Sequence, residues 1–311
     1  MFRLFRLQVF LIILITSLQQ ACAVPHRSRG FCATQAPDES LKAEYRRMSV
    51  SDNGTAANQE SRAAAEPIEI ETWFHIVSSN GSDDAVSDSM IATQLSYLQN
   101  AYRNATITYR LEGVTRQTND KWARNEDELA MKGALRKGSY GTLNVYFQTD
   151  LQTQTSPRTV AHQLGPSEKL ATSVLGFCTL PNPSINVSSP RSDYVKDGCN
   201  VLAKTMPGGT LTHYNRGGTA IHEIGHWNGL LHTFEGESCS HDNEGDYIAD
   251  TPQESVPTDG CPVRKDSCVD SPGVDPVHNF MDYSSDECYE NFTPAQVKRM
   301  RDMWYKMRAG K

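Results

Sequence analysis

Three histidines and one glutamate share the short stretch HEIGHWNGLLH, residues 222–232. On a helix, His222 and His226 lie one turn apart on the same face, so their two imidazoles can bind one metal ion. Glu223 lies beside the first of these ligands and can reach a water molecule at the metal without binding the metal itself. The spacing therefore predicts a metal-binding helix that carries its own proton acceptor.

The end of the same stretch supplies a third ligand. Gly229 can adopt a positive φ at no steric cost, so the helix can stop there and the chain can return His232 to the metal. Three neutral nitrogens leave the fourth tetrahedral position open, as in catalytic zinc sites. Zinc in such a site lowers the pKa of water to roughly 7 and polarises a carbonyl oxygen. We therefore expect a zinc cofactor and hydrolytic chemistry, from a pattern more specific than H-E-x-x-H alone.

The N-terminus has the form of a secretory signal peptide. Arg3 and Arg6 precede an apolar run at residues 9–15, and Ala21-Cys22-Ala23 is a small-residue cleavage site. A bilayer needs about 20 residues, more than this run has, so we expect residues 1–23 to be removed and the product to be extracellular, without a membrane anchor. An uncleaved signal anchor is the alternative. The net charge of -7 argues against a nucleic-acid partner, because proteins that bind nucleic acids are usually basic.

Secretion makes the cysteines candidates for disulfides. Loss of the signal peptide would leave seven, of which six lie in the second half of the chain and can form three bridges: Cys178, Cys199, Cys239, Cys261, Cys268 and Cys288. Cys32 is left over near the new N-terminus. Five Asn-x-Ser/Thr sequons are potential glycosylation sites, each a weak signal by itself: Asn53, Asn80, Asn104, Asn186 and Asn291.

The segment between the signal peptide and the first predicted strand differs in composition from the rest. Residues 24–66 are poor in large apolar side chains, so we expect them to bury little core and to form a prosegment or a linker. Arg46-Arg47 and Arg62 are candidate processing points within it. The catalytic domain is then expected to span residues 67–311.

Alternating strands and helices are predicted for the first half of that domain. Strands are expected at residues 68–77, 106–111 and 143–147, and helices from Ser87 or Asp88 through Tyr102 and at residues 125–137. An edge strand is expected within residues 192–202. A last helix should follow Thr293, with Pro294 at its first position and Gln296 completing a capping box. This order favours helices packed on a twisted mixed sheet.

A methionine follows the zinc-binding stretch, in NFMDY at residues 279–283. Together the two motifs resemble the metzincin clan of zinc peptidases, in which a tight turn carries a methionine beneath the metal. Within that clan the chain is similar to the pappalysin family, chiefly in GDYIADTP at residues 245–252 and in the Asp-Tyr pair after Met281. Further similarities extend over residues 66–308: LNVY at 143–146, LGFC at 175–178, PGG at 207–209, GGTA at 217–220 and HTF at 232–234. Asn228 departs from the family, which often has leucine there, and we expect an effect on packing rather than on chemistry.

The resemblance implies an α+β fold of the metzincin type. An upper subdomain, extending to residue 229, would hold a twisted mixed β-sheet with backing helices and the active-site helix. A lower subdomain, residues 230–311, would be irregular and disulfide-rich and would end in a helix. The substrate cleft would lie between them.

The resemblance also implies roles for the site residues. The zinc ligands would be His222, His226 and His232. Met281 would lie beneath the metal, and Gly229 would form the turn between the second and third ligands. Glu223 would act as general base and then as general acid on a zinc-activated water, and Tyr283 would donate a hydrogen bond to the oxyanion.

Disulfide pairing and latency follow from the same resemblance. The family's crossed pair would be Cys239–Cys268 and Cys261–Cys288, which leaves Cys178 to pair with Cys199. Cys32, in RGFCAT at residues 29–34, resembles the cysteine of prosegments whose thiolate takes the fourth zinc position and keeps the zymogen latent. Ala33 replaces the family's glycine in this motif. A bridge outside this scheme or an idle thiol is the alternative.

A second metal is implied near the acidic loop. Asp246, Asp250 and the Thr251 carbonyl are oxygen donors of the kind that calcium prefers, and family members carry calcium near this position. A solvated acidic loop is the plainer interpretation.

The sequence as a whole predicts a secreted zinc endopeptidase acting on protein or peptide substrates and made as a zymogen. A secreted binding protein on an inactive peptidase scaffold is the alternative, and the presence of Glu223 argues against it. A zinc hydrolase of non-peptide amides is a third hypothesis, which substrate screening would separate.

Overall fold

The computed structural model covers most of the predicted catalytic domain and part of the segment before it. The described residues are 31–53, 66–82, 85–154 and 171–311. The predicted signal peptide, residues 1–23, and the candidate processing point Arg62 lie outside them, as does the side chain of Asn53. Within the described part of the chain, no helix is long and apolar enough to cross a membrane.

A mixed five-stranded sheet forms the frame of the first half. The strands are β1 (Ile68–Ser78), β2 (Ile107–Thr118), β3 (Leu143–Gln148), β4 (Gln152–Gln154), β5 (Ala171–Ser173), β6 (Gly176–Cys178) and β7 (Cys199–Leu202). The sheet has the order β2-β1-β3-β7-β6, and β4 pairs separately with β5. All neighbours in the larger sheet are parallel except β6 and β7, which are antiparallel. The antiparallel strand β6 is therefore the last strand at one edge of the sheet.

The helices are few and mostly short. They are α1 (Glu39–Asn53), α2 (Asp88–Ala101), α3 (Asp120–Ala123), α4 (Glu128–Leu135), α5 (Arg191–Tyr194), α6 (Gly218–Trp227) and α7 (Pro294–Met303). The 3-10 turns Arg103–Ala105 and Ala203–Thr205 and a final π-helical turn, Trp304–Arg308, complete the set for the described residues.

Helices cover both faces of the sheet. Phe74 and Ile76 of β1 point into the main core with Val145 of β3, and this core includes the apolar residues of α2 and α6. On the other face, Val77 and Tyr146 pack with residues of α3 and α4. Successive residues of a strand point to opposite faces, so burial of both Ile76 and Val77 shows that this strand is covered on both sides.

Two predicted elements differ from the structure. The helix expected at residues 125–137 is shorter and corresponds to α4, because Asn125 adopts a left-handed φ of 58° and the helix begins only after Asp127, whose side chain accepts a hydrogen bond from the Ala130 N–H. The edge strand expected within residues 192–202 is β7, which lies between β3 and β6 inside the sheet. The strand predicted at residues 106–111 is longer, since β2 continues along β1 as far as Thr118.

The second half of the chain has little regular structure. Residues 230–293, all of them described, form no helix or strand beyond one bridge between Asn279 and Asn291. This segment makes up most of the range predicted as the lower subdomain. The helix that closes it, α7, begins with the predicted capping box, in which Thr293 and Gln296 exchange hydrogen bonds.

The expectation that residues 24–66 bury little core was wrong for their helical part. Leu41 and Tyr45 of α1 are buried in a cluster with Leu231, Met303 and Met307. Composition suggested otherwise because the segment as a whole is polar. An amphipathic helix needs only one apolar stripe to dock.

Candidate active site

Helix α6 places the first two histidines and the glutamate in the interior. Every residue of α6 is buried, including His222, Glu223 and His226. Helix α2 positions the start of α6, because Gln94 Nε2 donates a hydrogen bond to the carbonyl of Gly217, the N-cap residue, at 3.1 Å. This hydrogen bond and the burial of α6 fix the face of the helix on which His222, Glu223 and His226 lie.

A tight turn after α6 returns the chain to the same place. Gly229 has a φ of +90°, and a side chain there would begin 2.7 Å from Cγ of Met303. The Leu230 N–H donates to the Gly225 carbonyl at 3.0 Å and closes the turn. His232 follows directly, as the motif predicts.

Backbone carbonyls set the tautomers of the two helical histidines. Nδ1 of His222 lies 2.7 Å from the Phe280 carbonyl oxygen, and Nδ1 of His226 lies 2.8 Å from that of Leu230. A carbonyl only accepts, so each Nδ1 carries the proton and each Nε2 presents a lone pair. Burial, with the neighbouring histidines, lowers the pKa of both rings well below the usual range and keeps them neutral.

The three Nε2 atoms converge at the spacing that zinc requires. Nε2 of His226 lies 3.2 Å from Nε2 of His222 and 3.1 Å from Nε2 of His232. Tetrahedral zinc–nitrogen bonds of about 2.0–2.1 Å place neighbouring nitrogens about 3.3–3.4 Å apart. The histidines therefore fit one zinc ion.

Cys32 completes a group of four donors. Its Sγ lies 3.5 Å from Nε2 of His226, and the four ligand atoms all lie within 4.8 Å of one another. A zinc–sulfur bond of about 2.3 Å would place sulfur and nitrogen about 3.5 Å apart. Burial, and then the charge of Glu223, raises the pKa of this thiol in the metal-free chain; a coordinated cation acts in the opposite direction.

The segment around Cys32 runs as an added strand beside the edge strand β6. The Leu175 N–H donates to the Phe31 carbonyl, and the Ala33 N–H donates to the Gly176 carbonyl, both at 3.0 Å. Cys32 pairs with Gly176 in parallel orientation. The segment thus uses the free hydrogen-bonding groups of the sheet edge.

Glu223 is enclosed by this segment. Its Oε2 accepts hydrogen bonds from the Thr34 hydroxyl at 3.3 Å and from Cys32 Sγ at 3.5 Å. Burial raises the pKa of Glu223 to about 8, while these two hydrogen bonds act the other way. Its Oε1 is buried and has no hydrogen-bond partner among the described residues. A side chain on Gly176 would begin 2.7 Å from the Glu223 carboxylate, so only glycine leaves room for it.

The methionine turn lies directly against α6. Met281 is fully buried, and a side chain on Gly225 would begin 2.5 Å from its Sδ. Tyr283 Oη lies 3.2 Å from Nε2 of His232. Burial raises the pKa of Tyr283 well above its usual range, which keeps the phenol protonated as a donor. The ring of Phe31 stacks on that of Tyr283 with their centroids 4.4 Å apart.

The structure forms three disulfides. They join Cys178 with Cys199, Cys239 with Cys268 and Cys261 with Cys288. The first links paired positions of β6 and β7, and the other two cross-link the lower subdomain. Cys32 is the free cysteine among the described residues.

The residues suggested for calcium have protein partners. Asp246 accepts hydrogen bonds from the Thr251 hydroxyl at 2.8 Å and from the Ile248 N–H at 3.0 Å. Asp250 accepts from Thr293 Oγ1 at 2.6 Å and from the Ala295 N–H at 2.9 Å, at the start of α7. These bonds use side-chain oxygens that calcium would need, so calcium in this loop stays a prediction from the sequence.

The sequons with described side chains are all at the surface. Asn80, Asn104, Asn186 and Asn291 are exposed. Their accessibility is compatible with glycosylation, which stays a prediction.

Sequence reasoning missed a buried charge network behind the site. Asp197 accepts hydrogen bonds from Trp227 Nε1 at 3.0 Å and from Arg308 at 3.0 and 3.2 Å, and Arg136 lies 3.4 Å away. Arg308 also donates to the Trp227 carbonyl at 3.0 Å. The network ties the end of the chain to the end of α6. No local pattern marks it, because its members are distant in sequence.

The roles of Phe31 and Thr34 were also missed. Both flank Cys32 in sequence, so their closeness to a suspected metal ligand was the signal available.

A mixed sheet, a buried motif helix and a methionine turn against that helix define the class as the metzincin fold. Two solved structures from Tannerella forsythia are similar in fold. Mature mirolysin in complex with a cleaved peptide aligns with a TM-score of 0.57 and 24% identity, over 79% of this chain and 97% of that one. A promirolysin mutant aligns with a TM-score of 0.60 and 23% identity, over 89% of this chain and 94% of that one.

Relatives in sequence identify the family. The family described as Peptidase M43, pregnancy-associated plasma protein-A, matches residues 186–304. An extracellular metalloprotease of Aspergillus oryzae is 66% identical over 309 residues, covering 97% of each chain. Extracellular metalloprotease 1 of Coccidioides posadasii is 39% identical over 293 residues, covering 94% of this chain and 95% of that one. The chain belongs to this family, the pappalysins.

Proposed function

We propose that this chain is a secreted zinc-dependent endopeptidase whose N-terminal segment blocks its own active site. The observation that carries the proposal is the convergence of three histidine Nε2 atoms, 3.1 and 3.2 Å apart, beside the buried carboxylate of Glu223. Membership of the pappalysin family supports it, and so do the relatives, which are named as extracellular metalloproteases.

His222, His226 and His232 would hold the zinc ion. When bound, zinc would supply a Lewis acid that makes water more acidic and polarises the scissile carbonyl. The chain's own groups would then handle the protons and the developing charge. Glu223 would accept a proton from the attacking water and deliver it to the leaving amine. The Tyr283 phenol, protonated and close to His232, would donate a hydrogen bond to the oxyanion.

The edge strand β6 would bind the substrate backbone. In the structure, Leu175 and Gly176 already exchange main-chain hydrogen bonds with Phe31 and Ala33. An extended peptide can use the same groups. This supports peptide bonds, rather than other amides, as the substrate class.

Latency would come from the thiol of Cys32. The sulfur lies at the distance from His226 that a fourth ligand requires, and Thr34 holds the Glu223 carboxylate. One short segment would thus occupy both the fourth metal position and the Glu223 carboxylate, which hydrolysis needs. Replacing Cys32 with alanine in the full chain should allow casein cleavage without processing, whereas Arg47→Ala, at an exposed position of α1, should leave the chain latent.

Secretion, glycosylation and the boundaries of the prosegment rest on the sequence. Residues 1–23 would direct export, residues 24–66 would be removed, and residues 67–311 would form the mature enzyme. The named relatives are extracellular, which supports this order of events. N-terminal sequencing of the secreted protein would test both boundaries.

Cleavage of casein by the processed protein is the direct test. The wild type should cleave it, and Glu223→Ala should lose about 10²–10⁴-fold in rate because no proton acceptor remains, while it still binds zinc. A zinc chelator should abolish cleavage, and added zinc should restore it. His232→Ala should lose zinc, whereas His241→Ala, at an exposed histidine nearby, should not.

One outcome would favour the alternative. If the processed chain holds one zinc ion and cleaves no protein or peptide, it is a binding protein on a peptidase scaffold. If it cleaves only non-peptide amides, the substrate class is wrong.

A further inference from the structure

Helix α1 is docked on a surface that is separate from the histidine cluster. Leu41 and Tyr45 are buried against Leu231, Met303 and Met307, which come from the lower subdomain and the C-terminal helix. None of these five residues belongs to the group of metal donors. The N-terminal segment therefore has two attachments, one at Cys32 and one at α1.

Tyr45 is the centre of the second attachment. Its ring stacks on Tyr247 with centroids 5.5 Å apart and an interplanar angle of 17°. The Arg299 guanidinium lies 5.2 Å from the centroid of the same ring. The Tyr45 hydroxyl is buried without a hydrogen-bond partner in the described part of the chain. The ring, rather than the hydroxyl, therefore accounts for the binding.

Polar contacts surround this apolar centre. Arg46 forms two hydrogen bonds of 2.7 Å with the carboxylate of Glu244. Ser49 Oγ donates to the Tyr247 carbonyl at 2.7 Å, and Lys306 pairs with Glu44. A buried aromatic anchor with a polar rim is the usual anatomy of a specific interface.

The surface also touches the turn that carries the third histidine. Leu231 precedes His232, and Met303 packs against Gly229 at the turn. We define the α1 groove as Leu231, Glu244, Tyr247, Arg299, Met303 and Met307. It is built entirely from the predicted mature enzyme.

We infer that the α1 groove keeps the N-terminal segment bound after the chain is cut between Asn53 and Glu66. Its partner is an amphipathic helix with an aromatic residue at its centre, supplied by residues 39–49 of this chain. The inference rests on the proposed zymogen and adds a second, non-covalent step to its activation. Cutting the chain does not release the cleft; the helix must also dissociate or be destroyed.

One predicted processing point lies inside the docked helix. Arg46 pairs with Glu244 of the groove, and Arg47 pairs with Glu44 of α1. A protease needs the chain locally unfolded around the bond that it cleaves. Cleavage at Arg46-Arg47 therefore requires α1 to leave the groove first.

The test uses the full chain with a specific protease site placed within residues 54–65. After cleavage at that site, size-exclusion chromatography asks whether the N-terminal fragment still elutes with the rest of the chain. Co-elution of the wild type, with the cleft still blocked, is expected. Prompt separation of the wild-type fragment on cleavage would overturn the inference.

Substitutions in α1 test whether the α1 groove is what retains the N-terminal fragment. Tyr45→Ala should weaken binding of the fragment by about 30-fold, as expected for a buried aromatic anchor. Tyr45→Phe keeps the ring and should bind as well as the wild type. Equal retention of the fragment in wild type and Tyr45→Ala would show that Cys32 alone holds it, and would also overturn the inference.

Exchanging the charges of Arg46 and Glu244 tests the same docking without depending on correct folding of the Tyr45→Ala variant. Arg46→Glu should weaken retention by about fivefold, and Glu244→Arg in the same chain should restore it. Both side chains are partly exposed, so the exchange does not disturb the core. No effect of Arg46→Glu and no rescue would separate α1 docking from this contact and count against the groove.

Failure of the proposed function gives a different result. Retention is read from elution, without any activity measurement. If the separated large fragment binds zinc and cleaves nothing, the peptidase proposal fails, whichever way the fragment elutes.

Discussion

The two halves that meet at the histidine cluster are stabilised in different ways. The upper half is organised by a sheet in which β1 pairs with both β2 and β3, over a core that includes Phe74 and Ile221. The lower half has no such frame between residues 230 and 293, all of which are described. It relies on Cys239–Cys268, Cys261–Cys288 and side-chain hydrogen bonds.

Buried charge is also handled differently in the two halves. Asp197 of the upper half is matched by Arg136 and by Arg308, which reaches it from the C-terminal end of the chain; the two arginines lower the pKa of the carboxyl against the effect of its burial. In the lower half, Lys265 alone lies between the buried carboxylates of Glu254 and Asp275, at 2.6 and 2.7 Å. This one lysine does not offset the burial of Glu254 and the charge of the neighbouring Asp282, which together raise the pKa of Glu254 to about 7.

The site takes one part from each half. Secondary structure places His222, Glu223 and His226, whereas His232 and Tyr283 come from the irregular segment. His232 and Tyr283 therefore depend on the cross-links, whereas His222 and His226 depend on the sheet. Four predictions test this difference.

The largest effect should follow from loss of a lower disulfide. Replacing Cys261 and Cys288 together with alanine should lower the free energy of unfolding by about 2–4 kcal/mol and impair zinc retention. Replacing Cys178 and Cys199 should cost less, because these residues face each other on strands that are already paired. Urea unfolding of the full chain, with zinc content measured beside it, checks both. Equal losses in the two variants would contradict the comparison.

In the upper half, a substitution that displaces Glu223 should change the catalytic rate more than it changes the free energy of unfolding. Gly176→Ala would place a side chain 2.7 Å from the Glu223 carboxylate and displace that carboxylate. A displacement of about 1 Å costs about 100-fold in rate, so kcat of the processed enzyme should fall while its zinc content stays normal. The matched change Gly133→Ala meets no atom within 4 Å and should leave the rate unchanged. Normal turnover of Gly176→Ala would show that Glu223 has room to move.

Asn228 should affect the upper core without affecting chemistry. Its Nδ2 donates to Tyr109 Oη at 2.8 Å and to the Ile224 carbonyl at 2.9 Å. Asn228→Leu should lower the free energy of unfolding by about 1–2 kcal/mol, because polar groups lose a partner. Adding Tyr109→Phe should cost less than the sum of the two single changes. A fall in kcat at normal stability would instead give Asn228 a role at the site.

The last effect concerns pH in the lower half. Burial raises the pKa of Asp246 from 3.8 to about 7, so the folded chain holds a proton that the unfolded chain releases. Between about pH 4 and pH 7 the folded state binds more protons, and the free energy of unfolding should fall as the pH rises. Asp246→Asn should flatten this slope, whereas Asp242→Asn, at an exposed position, should not.

Repeating the measurement of the free energy of unfolding against pH with added calcium tests the calcium prediction. A calcium ion at this carboxylate would favour its ionised form and remove the slope. A slope that is unchanged by calcium would argue against the calcium prediction.

Strongly patterned elements were predictable, and elements defined by distant partners were not. The strand expected at residues 68–77 and the capping box at Thr293 were both predicted correctly. The later start of α4 was missed because the helical pattern of the sequence extends back to Asn125, which adopts a left-handed φ. The inner position of β7 depends on pairing with β3 and β6, which no local signal reports.

The sequence by itself determined the chemistry of the histidine stretch. Spacing along a helix dictates that His222 and His226 share a face, and Gly229 permits the turn to His232. Only the tertiary structure decided what surrounds them. The distance from Cys32 to His226, the space that Gly176 leaves for Glu223 and the docking of Tyr45 each join residues far apart in the chain. Such contacts depend on how the elements pack together, which short-range patterns do not encode.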